Sequence, residues 1–180
     1  MLNNKRISIG LFLLLVLIAV ALLSRSIANP SLSYPDADRI LMDGVFIHDF
    51  LSDLPALSQI YDYTINYYGQ YPALSIGYRP PFFPFVEALF NHVFGVNIWS
   101  SRLAIIMFSI IGLAAWFSLV LRTHNNKVAF ISCILLVSAP FYTKWGWYTM
   151  AEIPVLSMAM LTIFLFYRYL ESDQARYIYL

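Results

Sequence analysis

Six of the ten acidic side chains in this chain, Asp36, Asp38, Asp43, Asp49, Asp53 and Asp62, fall between Ser33 and Pro81. That segment opens Ser33-Tyr34-Pro35-Asp36-Ala37-Asp38-Arg39. A carboxylate such as Asp36 or Asp38 can act as a general base, taking the proton of a hydroxyl as it attacks. It can equally favour a helix start by meeting the positive end of the helix dipole. Asp43 follows Asp36 by seven residues, so on a helix both project from one face. That makes either a carboxylate pair or a solvated acidic face.

The same segment closes with Gly77-Tyr78-Arg79-Pro80-Pro81. Two prolines stiffen the backbone after Arg79, and a guanidinium on a rigid turn suits a phosphate. The competing role for such an arginine is snorkelling at a membrane surface. Arg39 and Arg102 are weaker phosphate candidates of the same kind. Glu152 stands in Met150-Ala151-Glu152-Ile153-Pro154, after Trp145, Trp147 and Tyr148. Charges at membrane depth tend to be functional, although one at a helix N-terminus is cheaper to place. His48, His92 and His124 lack metal-ligand spacing, and no CxxC, HExxH, Walker or GxGxxG pattern occurs. Cys133 has no second cysteine to pair with.

Composition says what must position these groups. The chain is 60% hydrophobic, 17% aromatic and 12% charged, with mean hydropathy +0.68. Soluble domains carry about 25% charged residues, so these values point to an integral membrane protein. A net charge of +1 offers no basic surface for nucleic acid. The expected organisation begins with a transmembrane helix at 7–28, an uncleaved anchor rather than a signal peptide because Arg25 interrupts the cleavage-like Ser26-Ile27-Ala28 region. A loop at 29–98 follows, with juxtamembrane helices at about 35–53 and 81–94 and a tyrosine-rich, Pro- and Gly-broken stretch between them. Spans at 99–122, 127–143 and 152–170 come next, with a short loop at 144–151 and a tail at 171–180. Phe82 to Phe94 is excluded as a span because 13 helical residues cover only about 20 Å of a core about 30 Å thick. With that exclusion Lys5, Arg6, Arg122, Lys127, Arg168 and Arg176 collect on one side, which the positive-inside rule makes cytoplasmic. Both termini then lie inside, and the acidic loop faces out.

The order of these features resembles the N-terminal part of the GT-C membrane glycosyltransferases. A first span leads into Pro35-Asp36-x-x-Arg39, and an Arg79-Pro80-Pro81 turn enters an aromatic surface helix closing on Phe94-Gly95. A span then begins Arg102-Leu103, and an acid follows in Glu152-Ile153-Pro154. The similar branch holds the dolichyl-phosphate-mannose–protein mannosyltransferases and the bacterial aminoarabinose transferase of lipid A, and the resemblance runs from Ile7 to Leu170. The motifs are short, so their order carries the specificity.

The resemblance implies an all-α membrane fold of about four transmembrane helices, the N-terminal fragment of a GT-C fold. It implies a polyprenyl-phosphate-linked sugar donor, an acceptor of unknown kind, and inversion at the anomeric carbon. The family's catalytic aspartate corresponds to Asp36; most relatives read Asp-Glu where this chain has Asp36-Ala37-Asp38, leaving both aspartates as base candidates. Its phosphate-binding basic residue corresponds to Arg79; Arg39 stays a second donor-phosphate candidate on its residue type alone. Its further acid corresponds to Glu152, and Asp43 is placed with it on the acceptor side. Some relatives bind a divalent metal through a glutamate just before the basic residue. Tyr78 stands there instead, so a divalent metal stays an open alternative and no cofactor is assigned. A multi-pass protein of a bacterial or archaeal inner membrane is expected, its site facing outside. Activity is expected to need further spans beyond these residues. A small transporter or channel component would need broken or polar spans, which 103–121 and 153–170 do not offer; a non-catalytic scaffold would tolerate alanine at Asp36, Arg79 and Glu152.

Overall fold

The computed structural model describes residues 2–27, 34 and 36–172, and every element among them is helical. Pro35 and Arg176, which figured in the expected helix start and cytoplasmic charge, lie outside the described residues. The elements are α1 (Leu2–Leu23), α2 (Ala37–Asp53), α3 (Ile60–Gln70), α4 (Phe82–Phe94), α5 (Ile98–Thr123), α6 (Asn126–Ser138), α7 (Pro140–Trp147) and α8 (Glu152–Ser172).

Three helices, α1, α5 and α8, are long and apolar enough to cross a membrane, and the bent pair α6 and α7 makes a fourth where the two count as one span. The helix α5 is the central one. Its 26 residues reach about 39 Å, and it packs against α1, α4, α6 and α8. Small side chains let the backbones close in: a Cβ added to Gly112 would sit 2.9 Å from the Ser157 Cα. By contrast α1 leaves Leu13, Leu14 and Leu17 exposed, a normal face for a helix surrounded by lipid.

Two sets of contacts define the ends of this bundle. At one end Ser8 donates to the Asn126 side chain at 2.7 Å, and Arg122 pairs with Glu171 at 2.8 Å. At the other, Trp147 Nε1 donates to the Leu22 carbonyl at 3.0 Å, and the Tyr34 ring packs on Trp145 and Tyr148. The chain therefore runs up α1, down α5, up through α6 and α7, and down α8. The stretch expected as one span over 127–143 instead bends by 59°. Extended Ala139 precedes Pro140, which disfavours helical backbone before it. The helix α7 also occupies part of what the sequence suggested was a short loop at 144–151.

Between α1 and α5 lies a helical unit at the Trp147 end. α2 packs along α4, with Gly44 at the closest approach: a Cβ there would meet the Glu87 Cβ at 2.9 Å. α4 buries Phe83, Pro84, Glu87, Ala88 and Asn91 at helical spacing, and Gly95 with φ +86° ends it. Asn97 then caps α5 by accepting from the Ser100 N–H at 3.1 Å. The tyrosine-rich stretch 54–78, which the sequence marked only by its breaks, contains the extra helix α3.

Candidate functional site

Asp36 occupies the N-cap position of α2, yet its side chain accepts no hydrogen bond from the helix. It turns instead to Arg79, whose Nη2 lies 3.0 Å from Asp36 Oδ1. Asp38 and Arg39, on the next turn, are exposed and make no ion pair among the described residues. The structure thus brings together one aspartate and one arginine from 43 residues apart, and leaves the other two candidates outside that pair. Both partners of the pair are partly open to solvent. Such a pair contributes roughly 0.2–1 kcal/mol after screening, so an arriving anion can compete for Arg79 at little cost.

A clamp beneath Asp36 explains how Arg79 arrives there. Asp43 is fully buried and accepts from the Ser75 N–H at 2.6 Å and the Ser75 hydroxyl at 2.8 Å. Tyr78 N–H then closes on the Ser75 carbonyl at 2.8 Å, tightening the turn that presents Arg79. The seven-residue spacing of Asp36 and Asp43 therefore does place both on one face of α2, and that face receives the 75–79 turn at two points. Asp43, which the sequence set on the acceptor side, is buried beneath this turn. Burial pushes its carboxyl above the usual range, while the Ser75 donors and the Arg79 charge pull it part of the way back.

Arg79 also lines an apolar groove of about 340 Å³ with Ile40, Phe83, Pro84, Pro154 and Met158 among its walls. Its Nη1 is buried and has no hydrogen-bond partner among the described residues. One nitrogen of the guanidinium thus holds Asp36, and the other is a spare donor at the rim of an apolar channel. Glu152 opens α8 next to the groove-lining Ala151, and its Oε2 is buried without a hydrogen-bond partner among the described residues. No ion pair joins Glu152 to Arg79 among the described residues. Arg102 is buried to 3% exposure within α5, away from a surface role.

Sequence reasoning passed over Ser75 and Glu87. Ser75 gave no signal, because its partner is 32 residues away. Glu87 did give one, as a lone acid in an aromatic helix. It is fully buried against Gly44, and neither oxygen completes a hydrogen bond, although the Ser101 hydroxyl is near. Burial raises its carboxyl well above the ordinary 4.5, Ser101 offsets part of that, and the Asp43 charge adds a smaller push upward. The folded chain therefore holds this proton more tightly than the unfolded chain does. Stability is full below the unfolded value and falls as pH climbs from 4.5 toward the raised native value. That loss accrues at about 1.4 kcal/mol per pH unit across the interval. Glu87→Gln is expected to remove it, so melting curves of the variant should change less between pH 5 and 8.

His48 and His92 face each other across α2 and α4 with ring centroids 6.0 Å apart, while His124 bonds Thr123 at the opposite end of the bundle. Among the described residues no group of three or more His, Cys, Asp or Glu could hold a metal ion.

A family model described as dolichyl-phosphate-mannose-protein mannosyltransferase matches residues 78–180. The match begins at Tyr78, so it takes in Arg79, Glu87 and Glu152 but not Asp36 or Asp43. No curated protein and no solved structure matches.

Proposed function

The chain belongs to the dolichyl-phosphate-mannose-protein mannosyltransferase family, and from that premise we propose a transferase moving a sugar from a polyprenyl-phosphate donor to an acceptor hydroxyl with inversion. The family makes it a multi-pass membrane glycosyltransferase of the GT-C type; the donor, the stereochemistry and the residue roles are our reading. One observation carries that reading: Arg79 stands at the rim of an apolar groove with one nitrogen on Asp36 and one unpaired. A lipid phosphate has the same two parts, an anionic head and an apolar chain.

In the proposed reaction the acceptor oxygen attacks the anomeric carbon from the face opposite the phosphate. Asp36 takes the acceptor's proton. The bond between the anomeric carbon and the phosphate oxygen breaks, and its electron pair leaves with the polyprenyl phosphate. Arg79 meets the charge that accumulates on that oxygen. A phosphate so held leaves readily, so no strong acid is required. Ile40, Phe83, Pro154 and Met158 would flank the first isoprene units. Glu152, at the groove's edge, is proposed to face the acceptor. Asp38 and Arg39 are given no direct part, and Asp43 supports Arg79 from below.

We place the end of the bundle opposite Asp36 and Arg79 in the cytoplasm, because Arg6, Arg122, Lys127 and Arg168 lie there. Arg39 and Arg79 sit in the long 29–98 segment, which the positive-inside rule discounts, leaving Arg25, Arg102 and Lys144 on the site's side. A bacterial or archaeal inner membrane, with the site outside, is the setting we propose.

The test uses the full-length protein in lipid nanodiscs, a polyprenyl-phosphate sugar of known anomeric configuration, and NMR of the product. The expected product has the opposite configuration. Retention would exclude the single displacement, and sugar release across a vesicle without any glycosyl product would replace the enzyme reading with a transport one.

A further inference from the structure

Away from Asp36 and Arg79, a second cleft opens where α3 lies beside the C-terminal half of α2. Its volume is about 320 Å³, and unlike the groove beside Arg79 it is lined wholly by side chains that can hydrogen-bond. Asp49 and Asp53 come from α2; Tyr63, Tyr67, Asn66 and Gln70 come from α3, and Tyr71 directly follows its last residue. Each set repeats every four residues, so each forms a column with a rise of about 6 Å per step.

The tyrosine column is already ordered. Tyr63 and Tyr67 stack with centroids 6.1 Å apart, and Tyr67 and Tyr71 lie 4.9 Å apart. The Tyr67 hydroxyl donates to Asp49 Oδ2 at 2.8 Å, and the Tyr63 hydroxyl donates to Asp53 Oδ2 at 2.9 Å. Burial and then Asp53 push the Tyr63 phenol up to about 12, so it stays a donor. His48 Nδ1 holds the other Asp49 oxygen at 2.9 Å. A carboxylate oxygen can accept a second bond, and the Asn66 and Gln70 amides have no hydrogen-bond partner among the described residues. Tyr63 and Tyr67 also pack against Phe46 and Phe50 of α2, but α3 buries no residue, so the rings remain partly exposed along the cleft.

The chemistry narrows the occupant. Two carboxylates with no cation in the lining repel a phosphate or any other anion. A purely apolar ligand would strip water from the amides and carboxylates without replacing their bonds. A quaternary ammonium needs rings boxed around one point, whereas these rings run in a line. Neutral sugars fit all three constraints: paired hydroxyls meet carboxylates and amides, and the C–H face of a pyranose lies on a tyrosine ring. We propose that this cleft is a binding subsite for a neutral oligosaccharide. With centroid separations of 6.1 Å and 4.9 Å the platform from Tyr63 to Tyr71 is long enough for a short run of sugar units. Asp49 lies 13 residues beyond Asp36, about 20 Å along α2, so the bound sugars are not those that react. They belong to the distal part of a glycan-bearing acceptor.

The experiment is saturation-transfer NMR on the full-length protein in nanodiscs with mannotriose, maltotriose and galactotriose as probes, and with tetramethylammonium and inorganic phosphate as comparisons. Transfer to the ring protons of at least one trisaccharide is expected. In Asn66→Ala/Gln70→Ala, a change of two exposed side chains, its affinity should fall about tenfold or more. Binding should persist in Asp36→Asn, which separates this site from the proposed catalytic one. Absence of transfer from every trisaccharide, affinity unchanged in the double variant, or displacement of the sugar by tetramethylammonium would each overturn the proposal.

Discussion

Asp36→Asn in the full-length protein is expected to lower kcat by roughly 10²–10⁴, the usual contribution of a positioned general base. Asp38→Asn should stay near the parental rate. The contrast rests on one geometric fact: Asp36 reaches Arg79 at 3.0 Å, whereas Asp38 is exposed on the neighbouring face of α2. Asparagine keeps the shape and still offers an oxygen to Arg79, so folding and donor binding should hold while proton removal fails. The pattern to look for is therefore a fallen kcat with KM for the donor changed little. If Asp38→Asn carried the loss and Asp36→Asn did not, the base would have to be reassigned. If both kept parental rates, neither aspartate would be the base.

That contrast was not legible in the sequence. Asp36 and Asp38 are two residues apart, both suit a helix start, and motif order alone matched either. What separates them is the 75–79 turn folding back onto α2, and that depends on Asp43 finding Ser75 across 32 residues. Local propensity carries no trace of a bond over such a distance. The spans were easier, because an uninterrupted apolar run such as Leu103 to Leu121 has one stable fate in lipid. Phe82 to Phe94 was also readable, since length alone rules out crossing. The helix α3 was hidden by its composition: Tyr and Asn are weak helix formers, and Gly69 and Pro72 suggested turns. Glu87 illustrates the opposite case. A single acid in an aromatic helix reads as an interfacial charge, but its neighbour across the gap is Gly44, which lacks the side chain that would have kept it out.

The second large effect concerns Arg79. Arg79→Ala should reduce kcat/KM for the donor by about 10²–10³, the scale seen when one donor to a developing charge is removed. Arg79→Lys should recover only part of it. Lysine offers a point charge, whereas the guanidinium can hold Asp36 through one nitrogen and a phosphate oxygen through the other. A lysine that turned to the phosphate would release Asp36, and one that stayed on Asp36 would leave the phosphate unmatched. The same sharing predicts strong coupling. In the Asp36→Asn/Arg79→Ala double variant the loss should be well short of the product of the two single losses, since Arg79→Ala already frees Asp36 from its position and so takes with it part of what Asp36→Asn would remove. Rates of the four proteins, with free guanidinium ion added to the Arg79→Ala form, test this directly. Partial rescue by guanidinium together with non-multiplicative losses is the expected result. Multiplicative losses and no rescue would mean that Arg79 and Asp36 act separately, and that their 3.0 Å contact has no part in the transfer.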